Sequence, residues 1–424
     1  MEHFFQIGVI GAGAAGLMAA AEAARRGVSV VLLEKNRKTG VKILMSGGTR
    51  CNITHNTDAK GIAKAFMNGG RFLQSSLGAF PPRDVVKMFE ELGVPTKVEP
   101  TGKVFPVSDR ALHVRDALLN QALSLGVQLH TDQAVLNVEQ TDKGYWSVST
   151  KNDSYVLERL IITTGGKSWP GCGTTGDAYS WLSGLGHQIV YPRPALVPLV
   201  GGSKWMHALS GVTLPDCQLT LRGKVKGRQK KICQTRNSLL LTHQGFSGPA
   251  AMDISGALTA AESFHDCQLL LDCLPDIDDS QLLGLFLDRQ QEGGKQRITA
   301  SLGRWLPKRL AQTLASEFDA DCTVAELPKA SRGRLIEALK RLPLMVEGTL
   351  GFEKAEVTAG GVRLDEVNPK TMESNLRPSL YIAGEVLDVD GPIGGYNFQA
   401  AFSTGRAAGI AAAESIHTAT TNSD

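Results

Sequence analysis

Apolar, β-branched runs alternate with Ala-rich stretches at both ends of the chain. This rhythm predicts a parallel sheet flanked by helices. Phe4–Ile10 is a short apolar run, Leu17–Arg26 has helical character, and Val28–Leu33 reads as a buried strand. Gly27 stands where the helix must end, as a C-cap. Leu160–Thr164 reads as a further strand, with a helix starting at Asp177. Leu380–Gly384 is another strand, and an Ala-rich helix follows to about Ala412. The middle of the chain has a different texture. Tyr191-Pro192-Arg193-Pro194 through Pro198 reads as a linker. Beyond it, Val212–Leu221 and Cys267–Cys273 read as strands, and Ser280–Arg289, Leu310–Phe318 and Gly333–Arg341 as helices. The prediction is an α/β chain whose domain, residues 1–195 and 351–415, is interrupted by an α+β insert, residues 196–350, mainly β in its first half. Residues 416–424 are expected to form a flexible tail.

Composition narrows the class. Of the 424 residues, 42% are hydrophobic and 21% charged, which is ordinary globular usage and not that of a disordered chain. Gly is the outlier at 46 copies, with no collagen-like period. The excess needs local causes, either turns or close approach of backbone to a ligand. Net charge is only +3, so the whole-chain balance does not announce a nucleic-acid binder. Seven scattered cysteines with no CxxC pair suit a reducing cytoplasm and give no Cys-type zinc site, so no metal is expected. The start, Met1-Glu2-His3, has no basic leader pattern, and no apolar run approaches a membrane span.

The strongest chemical signal is Gly11-Ala12-Gly13-Ala14-Ala15-Gly16, lying between the first strand and its helix. Gly11 permits the tight turn, Gly13 lets a pyrophosphate meet backbone, and Gly16 lets helix and strand pack closely. The helix start offers free N–H groups to phosphate. The second strand ends at Glu34, eighteen residues after Gly16, where its carboxylate can accept both ribose hydroxyls. The fingerprint leaves FAD and NAD open. Gly171-Cys172-Gly173-Thr174-Thr175-Gly176 also fits the pattern, but Gly165–Pro170 separates it from its strand and no acid-terminated strand follows. It reads as a loop folding over the first cofactor, so no dedicated NAD(P) domain is expected.

Three further segments narrow the cofactor. They are Lys42-Ile43-Leu44-Met45-Ser46-Gly47-Gly48-Thr49-Arg50-Cys51-Asn52, Leu160–Gly166, and Leu380–Asp388 with Gly391–Gln399. Together with the fingerprint they resemble the BaiN-like, or aminoacetone-oxidase-like, FAD flavoproteins over roughly residues 4–415. One departure is Thr49, where that family commonly has Gly. The resemblance implies a glutathione-reductase-like FAD-binding Rossmann domain, discontinuous around an inserted domain. It implies cofactor contacts at Gly11, Gly13, Ala14, Ala15 and Gly16, at Glu34 and Lys35, and on the next segment at Lys42, Ser46, Gly47, Arg50 and Asn52. Val135, Thr164, Gly165 and Gly166 belong to the same set. So do Gly384, Glu385 (against the ribityl chain), Asp388, Gly395, Tyr396 and Asn397. Arg50 can pair with phosphate or flavin oxygens, or instead hold a surface carboxylate.

Catalysis is less legible. A C=C substrate needs a proton donor besides hydride. Cys51 is a candidate because its loop belongs near the flavin; the alternative is a buried small apolar residue. Cys51 has no nearby partner, which argues against a disulfide reductase. His243, in Thr242–Pro249, is a second candidate, with a structural hydrogen bond as its alternative. Residues 221–236 carry seven basic and no acidic side chains. Gly223 and Gly227 suggest a hairpin, on which Arg222, Lys224, Lys226, Arg228, Lys230 and Lys231 can track RNA phosphates. The plainer reading is a β-ribbon edge protected by Lys. The resemblance covers reduction of steroid-like enones, aminoacetone oxidation, and reduction of uracil to dihydrouridine in ribosomal RNA. The leading expectation is a cytoplasmic NAD(P)H-driven FAD reductase of an activated C=C bond, with a metabolite or ribosomal RNA as substrate. An oxygen-using amine oxidase and an RNA-binding or RNA-modifying protein with structural FAD are the alternatives.

Overall fold

The computed structural model describes residues 1–225, 228–291 and 294–421. The chain divides into two compact units, one joining Met1–Pro192 to Val357–Asp424 and the other comprising Arg193–Glu356.

In the first unit Glu2–Ile10 lies at the centre of a seven-stranded sheet. It pairs in parallel with Val30–Leu33 on one side and Ser154–Ile162 on the other. Gln128–His130 and Leu380–Ile382 add further parallel strands. Val135–Gln140 and Trp146–Thr150 form an antiparallel meander leading into Ser154–Ile162. The parallel strands read as unbroken apolar runs because both faces are covered; every residue of Val30–Leu33 is buried. This is the Rossmann-type α/β arrangement that the strand–glycine–helix order predicts.

The helix Ala14–Ala24 buries every residue except Glu22. Its alanines are small for a reason that lies at the other end of the chain. A Cβ at Gly405 would lie 2.3 Å from the Ala15 carbonyl oxygen, and one at Gly409 would lie 2.2 Å from that of Ala19. The two helices therefore meet backbone to backbone. The C-terminal helix spans Tyr396–Thr421. It passes well beyond Ala412, and Ile416 is buried in the core. Residues 416–421 thus continue a helix where the sequence suggests a flexible tail, because an apolar position anchors them. The Pro-rich stretch likewise differs from a free linker. Ile189–Ala195 is a strand beside Val357–Val362, and prolines are tolerated in so small a ribbon.

The second unit is an antiparallel seven-stranded sheet with helices. Its strands run, in spatial order, Leu342–Leu344, Cys267–Asp272, Thr213–Val225, Arg228–Leu241, Gly245–Ser247, Leu199–Gly201 and Val346–Thr349. The helix Pro249–Thr259 starts with Gly248 as N-cap and Pro at N1, and buries Ala250, Ala251, Ile254 and Leu258. Asp279–Gln291, Lys308–Glu317 and Lys329–Arg341 are helices close to the segments expected. This unit has its own apolar core. No helix among the described residues is long and apolar enough to cross a membrane.

Candidate functional site

The fingerprint turn is built by contacts that only glycine permits. Gly11 adopts φ +101, and a Cβ there would lie 2.7 Å from the Thr163 carbonyl oxygen. At Gly16 it would lie 1.8 Å from the Gly11 carbonyl oxygen. Gly13 is different, since a Cβ there would meet no protein atom within 4 Å. Its small size is not required by packing. Gly13 is also the N-cap of the helix, with no side-chain cap, so free N–H groups of Ala14, Ala15 and their neighbours mark an anion-binding end.

Glu34 is buried at the end of the second strand. Its Oε2 accepts the Ala12 N–H at 2.9 Å and its Oε1 the Asn36 N–H at 2.9 Å. A carboxylate has about four acceptor positions, so each oxygen keeps capacity for a hydroxyl. Lys35 turns aside, donating to Thr175 at 2.7 Å and Asp177 at 2.5 Å. Asn36 donates to the Cys172 carbonyl at 3.0 Å. The second glycine motif is therefore a loop held beside Glu34; it contains a 3-10 turn, Pro170–Cys172, and leads into the expected helix, Asp177–Gly184.

The segment after the second strand forms the helix Val41–Thr49, which loses helical geometry from Ser46 onward. Gly47, Gly48, Thr49 and Cys51 all have positive φ, at 55°, 67°, 69° and 61°. Ser46 donates to the Ile43 carbonyl, and its own carbonyl accepts the Cys51 N–H. Asn52, its amide oriented to suit its neighbours, accepts from the Gly395 N–H at 3.0 Å and donates to the Thr54 carbonyl at 3.0 Å. Arg50 departs from the phosphate-binding expectation. It pairs with Asp109 at 2.9 Å and with Glu99, and lies 3.9 Å over the Phe105 ring. Two carboxylates and an aromatic face already satisfy the guanidinium. Cys51 follows its alternative reading, a buried small residue, and not that of a proton donor. It is fully buried, and burial pushes its thiol up to about 12. Such a thiol is a poor proton donor near neutrality and is out of reach of a substrate.

Lys42 and Glu385 meet at 2.6 Å. Glu385 also accepts from Ser168 Oγ at 2.8 Å and from the Thr358 N–H at 2.8 Å, while Lys42 donates to Ser168 at 2.5 Å. Ser168 and Thr358 were not singled out by sequence, although each lies two residues from a glycine pair, Gly165–Gly166 and Gly360–Gly361. Glycine also sets this wall. A Cβ at Gly166 would lie 2.3 Å from Thr358 Oγ1, one at Gly165 2.7 Å from Thr174, and one at Gly384 2.9 Å from Ala15. Thr164 follows Thr163, whose hydroxyl holds the Ile10 and Gly11 carbonyls. Asp388 accepts from Asn68 at 2.9 Å. Asn397 clasps Gly391 through both its amide atoms. Gly395 packs on Thr54, where a Cβ would lie 2.5 Å from the carbonyl carbon.

His55 is the titratable group that sequence reading missed. Its ring stacks on Tyr396 at 4.8 Å, and its Nδ1 lies 3.1 Å from the Gly394 carbonyl oxygen. A carbonyl only accepts, so Nδ1 carries the hydrogen and Nε2 is the free nitrogen of the neutral ring. A Cβ at Gly102 would lie 2.5 Å from Nε2, so the Gly102 backbone packs close to that edge of the ring. The signal available in sequence was its position three residues after Asn52.

Val135 begins the meander and pairs with Thr150. His243 is exposed in the second unit, between Arg228–Leu241 and Gly245–Ser247. Arg222, Lys224, Arg228, Lys230 and Lys231 are exposed on the paired strands Thr213–Val225 and Arg228–Leu241. Lys226 lies outside the described residues.

These residues fit a dinucleotide. Gly13 leaves a backbone face open to phosphate, Glu34 offers buried acceptors, and the buried Thr39 hydroxyl after Glu34 has no hydrogen-bond partner among the described residues. A family model described as the HI0933-like protein Rossmann domain matches residues 5–411. The chain belongs to the HI0933-like family. It is 32% identical over 416 residues to a ribosomal RNA dihydrouridine synthase of Haemophilus influenzae, covering 97% of this chain and 99% of that protein. An Escherichia coli protein of the same name is 33% identical, covering 95% of this chain and 96% of that protein. A 3-dehydro-bile acid delta(4,6)-reductase of Clostridium scindens is 31% identical, covering 96% and 99%. Among solved structures, the apo form of the Mycobacterium smegmatis Sdh1 complex superposes with a TM-score of 0.52 at 16% identity, over 98% of this chain and 69% of that one. That likeness concerns the fold. The protein is an FAD-dependent oxidoreductase with a Rossmann-type FAD-binding domain.

Proposed function

We propose that this enzyme takes electrons from NAD(P)H and saturates the C5=C6 bond of uracil in ribosomal RNA, giving dihydrouridine. The observation that carries the reading is the exposed basic ribbon of the second unit, in a chain whose relatives of that name align over nearly their whole length. The cationic ribbon has no use for a small neutral enone, which is why ribosomal RNA is preferred to a bile-acid-like metabolite. On this reading the enzyme works in the cytoplasm, with the ribosome.

FAD supplies the two-electron chemistry when bound. This chain's part is to hold the cofactor and manage protons. The helix start after Gly13 would hold the pyrophosphate, and Glu34 would hold the ribose hydroxyls. Lys42, Ser168 and the Thr358 N–H fix the Glu385 carboxylate, which would hold the ribityl chain. The second carbon of a reduced C=C needs a proton, and burial disqualifies Cys51. His55 Nε2, steadied by the Gly394 carbonyl and the Tyr396 ring, is the atom on this wall that can hold one.

The test is a mass-spectrometric map of dihydrouridine in ribosomal RNA from cells lacking the protein. Loss of one site, restored by the wild-type gene, is the expected result. An unchanged map would overturn the ribosomal RNA reading and favour a metabolite. Peroxide formation from an amine without NAD(P)H would favour an oxidase. A flavin that no donor can cycle would favour a structural FAD.

A further inference from the structure

The two long strands of the second unit, Thr213–Val225 and Arg228–Leu241, turn one face to its core and one to solvent. Residues paired directly across antiparallel strands share a face, and successive residues alternate. Cys217, Leu219 and Leu221 are fully buried, so Gln218, Thr220, Arg222 and Lys224 belong to the solvent face. Their partners on Arg228–Leu241 are Arg236, Gln234, Lys231 and Gln229. A register shift between Leu221 and Arg222 sets Arg222 directly opposite Lys231. Lys230, opposite Gly223, falls on the other face.

The cations of the solvent face are not equivalent. At one end Arg236 pairs with Asp216 and with Asp276, each at 2.6 Å. At the other Lys224 pairs with Asp266 at 2.7 Å. Arg222 and Lys231 lie between them, both exposed, and neither makes an ion pair among the described residues. Lys231 donates only to the neutral Gln234 side chain. Edge protection accounts for part of this charge. Among the described residues, Arg228–Leu241 has a neighbour on its far side only at Leu240 and Leu241, and lysines on such an edge discourage unwanted pairing. That reason covers Arg228, Lys230 and Lys231. It does not cover Arg222, whose strand is paired on both sides, with Lys231 and with Gln268. Like charges directly opposite one another work against a sheet. The Arg222–Lys231 pair therefore carries a cost that folding does not require.

We propose that Arg222 and Lys231 form a seat for one backbone phosphate of the RNA substrate, on the solvent face of the sheet. The inference rests on the ribosomal RNA reading and names what the ribbon recognises, which is the sugar–phosphate backbone and not the bases. A phosphate between the two side chains removes their repulsion and accepts from both, from the guanidinium fork and from the ammonium. The paired residues of this face include no aromatic ring, so nothing on it stacks a base. Asp216, Asp266 and Asp276 flank the pair and repel a polyanion, which confines the phosphate to the central seat.

The experiment uses the full-length, FAD-loaded protein and two RNA hairpins of equal length and unrelated sequence. Binding is titrated against salt for wild type, for Arg222→Gln with Lys231→Gln, and for Arg228→Gln with Lys230→Gln. Each double variant removes two positive charges, so the second controls for net charge. Wild type should bind both hairpins alike. The first variant should lose about tenfold in affinity for both, and its log–log salt slope should flatten by about 1, the value for one phosphate contact. The second should keep the wild-type slope. An unchanged flavin spectrum reports an intact fold, and loss of the like-charge pair should leave the first variant no less stable to urea than wild type. A first variant that binds as wild type does, a second that loses as much slope, or a loss confined to one hairpin overturns the inference. If cells lacking the protein lose a dihydrouridine and the first variant restores it with undiminished RNA affinity, this inference alone fails. If those cells keep every dihydrouridine, the underlying reading fails.

Discussion

Gly13→Ala separates a glycine kept for folding from one kept for a ligand. The three fingerprint glycines differ in what a side chain would meet. A Cβ would lie 2.7 Å from the Thr163 carbonyl oxygen at Gly11 and 1.8 Å from the Gly11 carbonyl oxygen at Gly16, and would meet nothing within 4 Å at Gly13. Gly13 also has an unstrained φ of −84. Comfortable heavy-atom separation is about 3.5 Å, so a methyl at Gly16 must push rigid backbone by more than an ångström. Overpacking costs about 1–3 kcal/mol, and more where backbone takes the clash. Gly16→Ala should therefore lose about 3 kcal/mol or fail to fold. Gly13→Ala should leave the apoprotein within about 0.5 kcal/mol of wild type in urea unfolding. Its FAD affinity should fall by at least about a hundredfold, or about 2.7 kcal/mol, because the methyl occupies the face a pyrophosphate approaches. Flavin fluorescence titration measures the second quantity independently of the first. A Gly13→Ala protein with full FAD affinity, or one as unstable as Gly16→Ala, would refute the reasoning.

Three further outcomes are expected. Thr49 is β-branched and held at φ 69; relief of about 1–3 kcal/mol of strain, less about 0.5–1 kcal/mol of glycine entropy, should make Thr49→Gly more stable by about 1 kcal/mol, and an unchanged or lower unfolding midpoint would contradict this. Cys51→Ala should cost about 1 kcal/mol of packing yet leave the pH–rate profile in place, since a thiol pushed up to about 12 is not titrating there; a shifted profile would restore Cys51 as the proton donor. His187 is enclosed, with Glu366 at 3.0 Å and Ser374 at 2.9 Å, and burial lowers its pKa against the opposing pull of Glu366. The folded state then favours the neutral ring, so this stability is complete above about pH 6.5 and is lost as pH falls through the lower folded value; His187→Gln should flatten the fall of the unfolding midpoint in that window, and an equally steep fall in the variant would exclude the histidine as its source.

What sequence could tell depended on how far apart the interacting parts lie along the chain. The βαβ turn was legible because each of its constraints acts within a few residues, from the φ of Gly11 to the acid at Glu34. The Ala-rich C-terminal helix was legible, but the partners of its Gly405 and Gly409 are Ala15 and Ala19, nearly the whole chain away. Arg50 was visible as a charge, whereas Glu99 and Asp109, which claim it, lie 49 and 59 residues on. Ile416 shows the same limit for burial, since its place in the core is not visible in the local pattern. The basic ribbon is the instructive contrast. Its charges lie close together in sequence, so the strand register decides which face each one occupies, and that register follows from one hairpin with two register shifts, between Leu214 and Cys217 and between Leu221 and Arg222. A run of charge is therefore nearer the surface of the sequence than the surroundings of His55, which depend on Gly102, Gly394 and Tyr396 being brought in from distant segments.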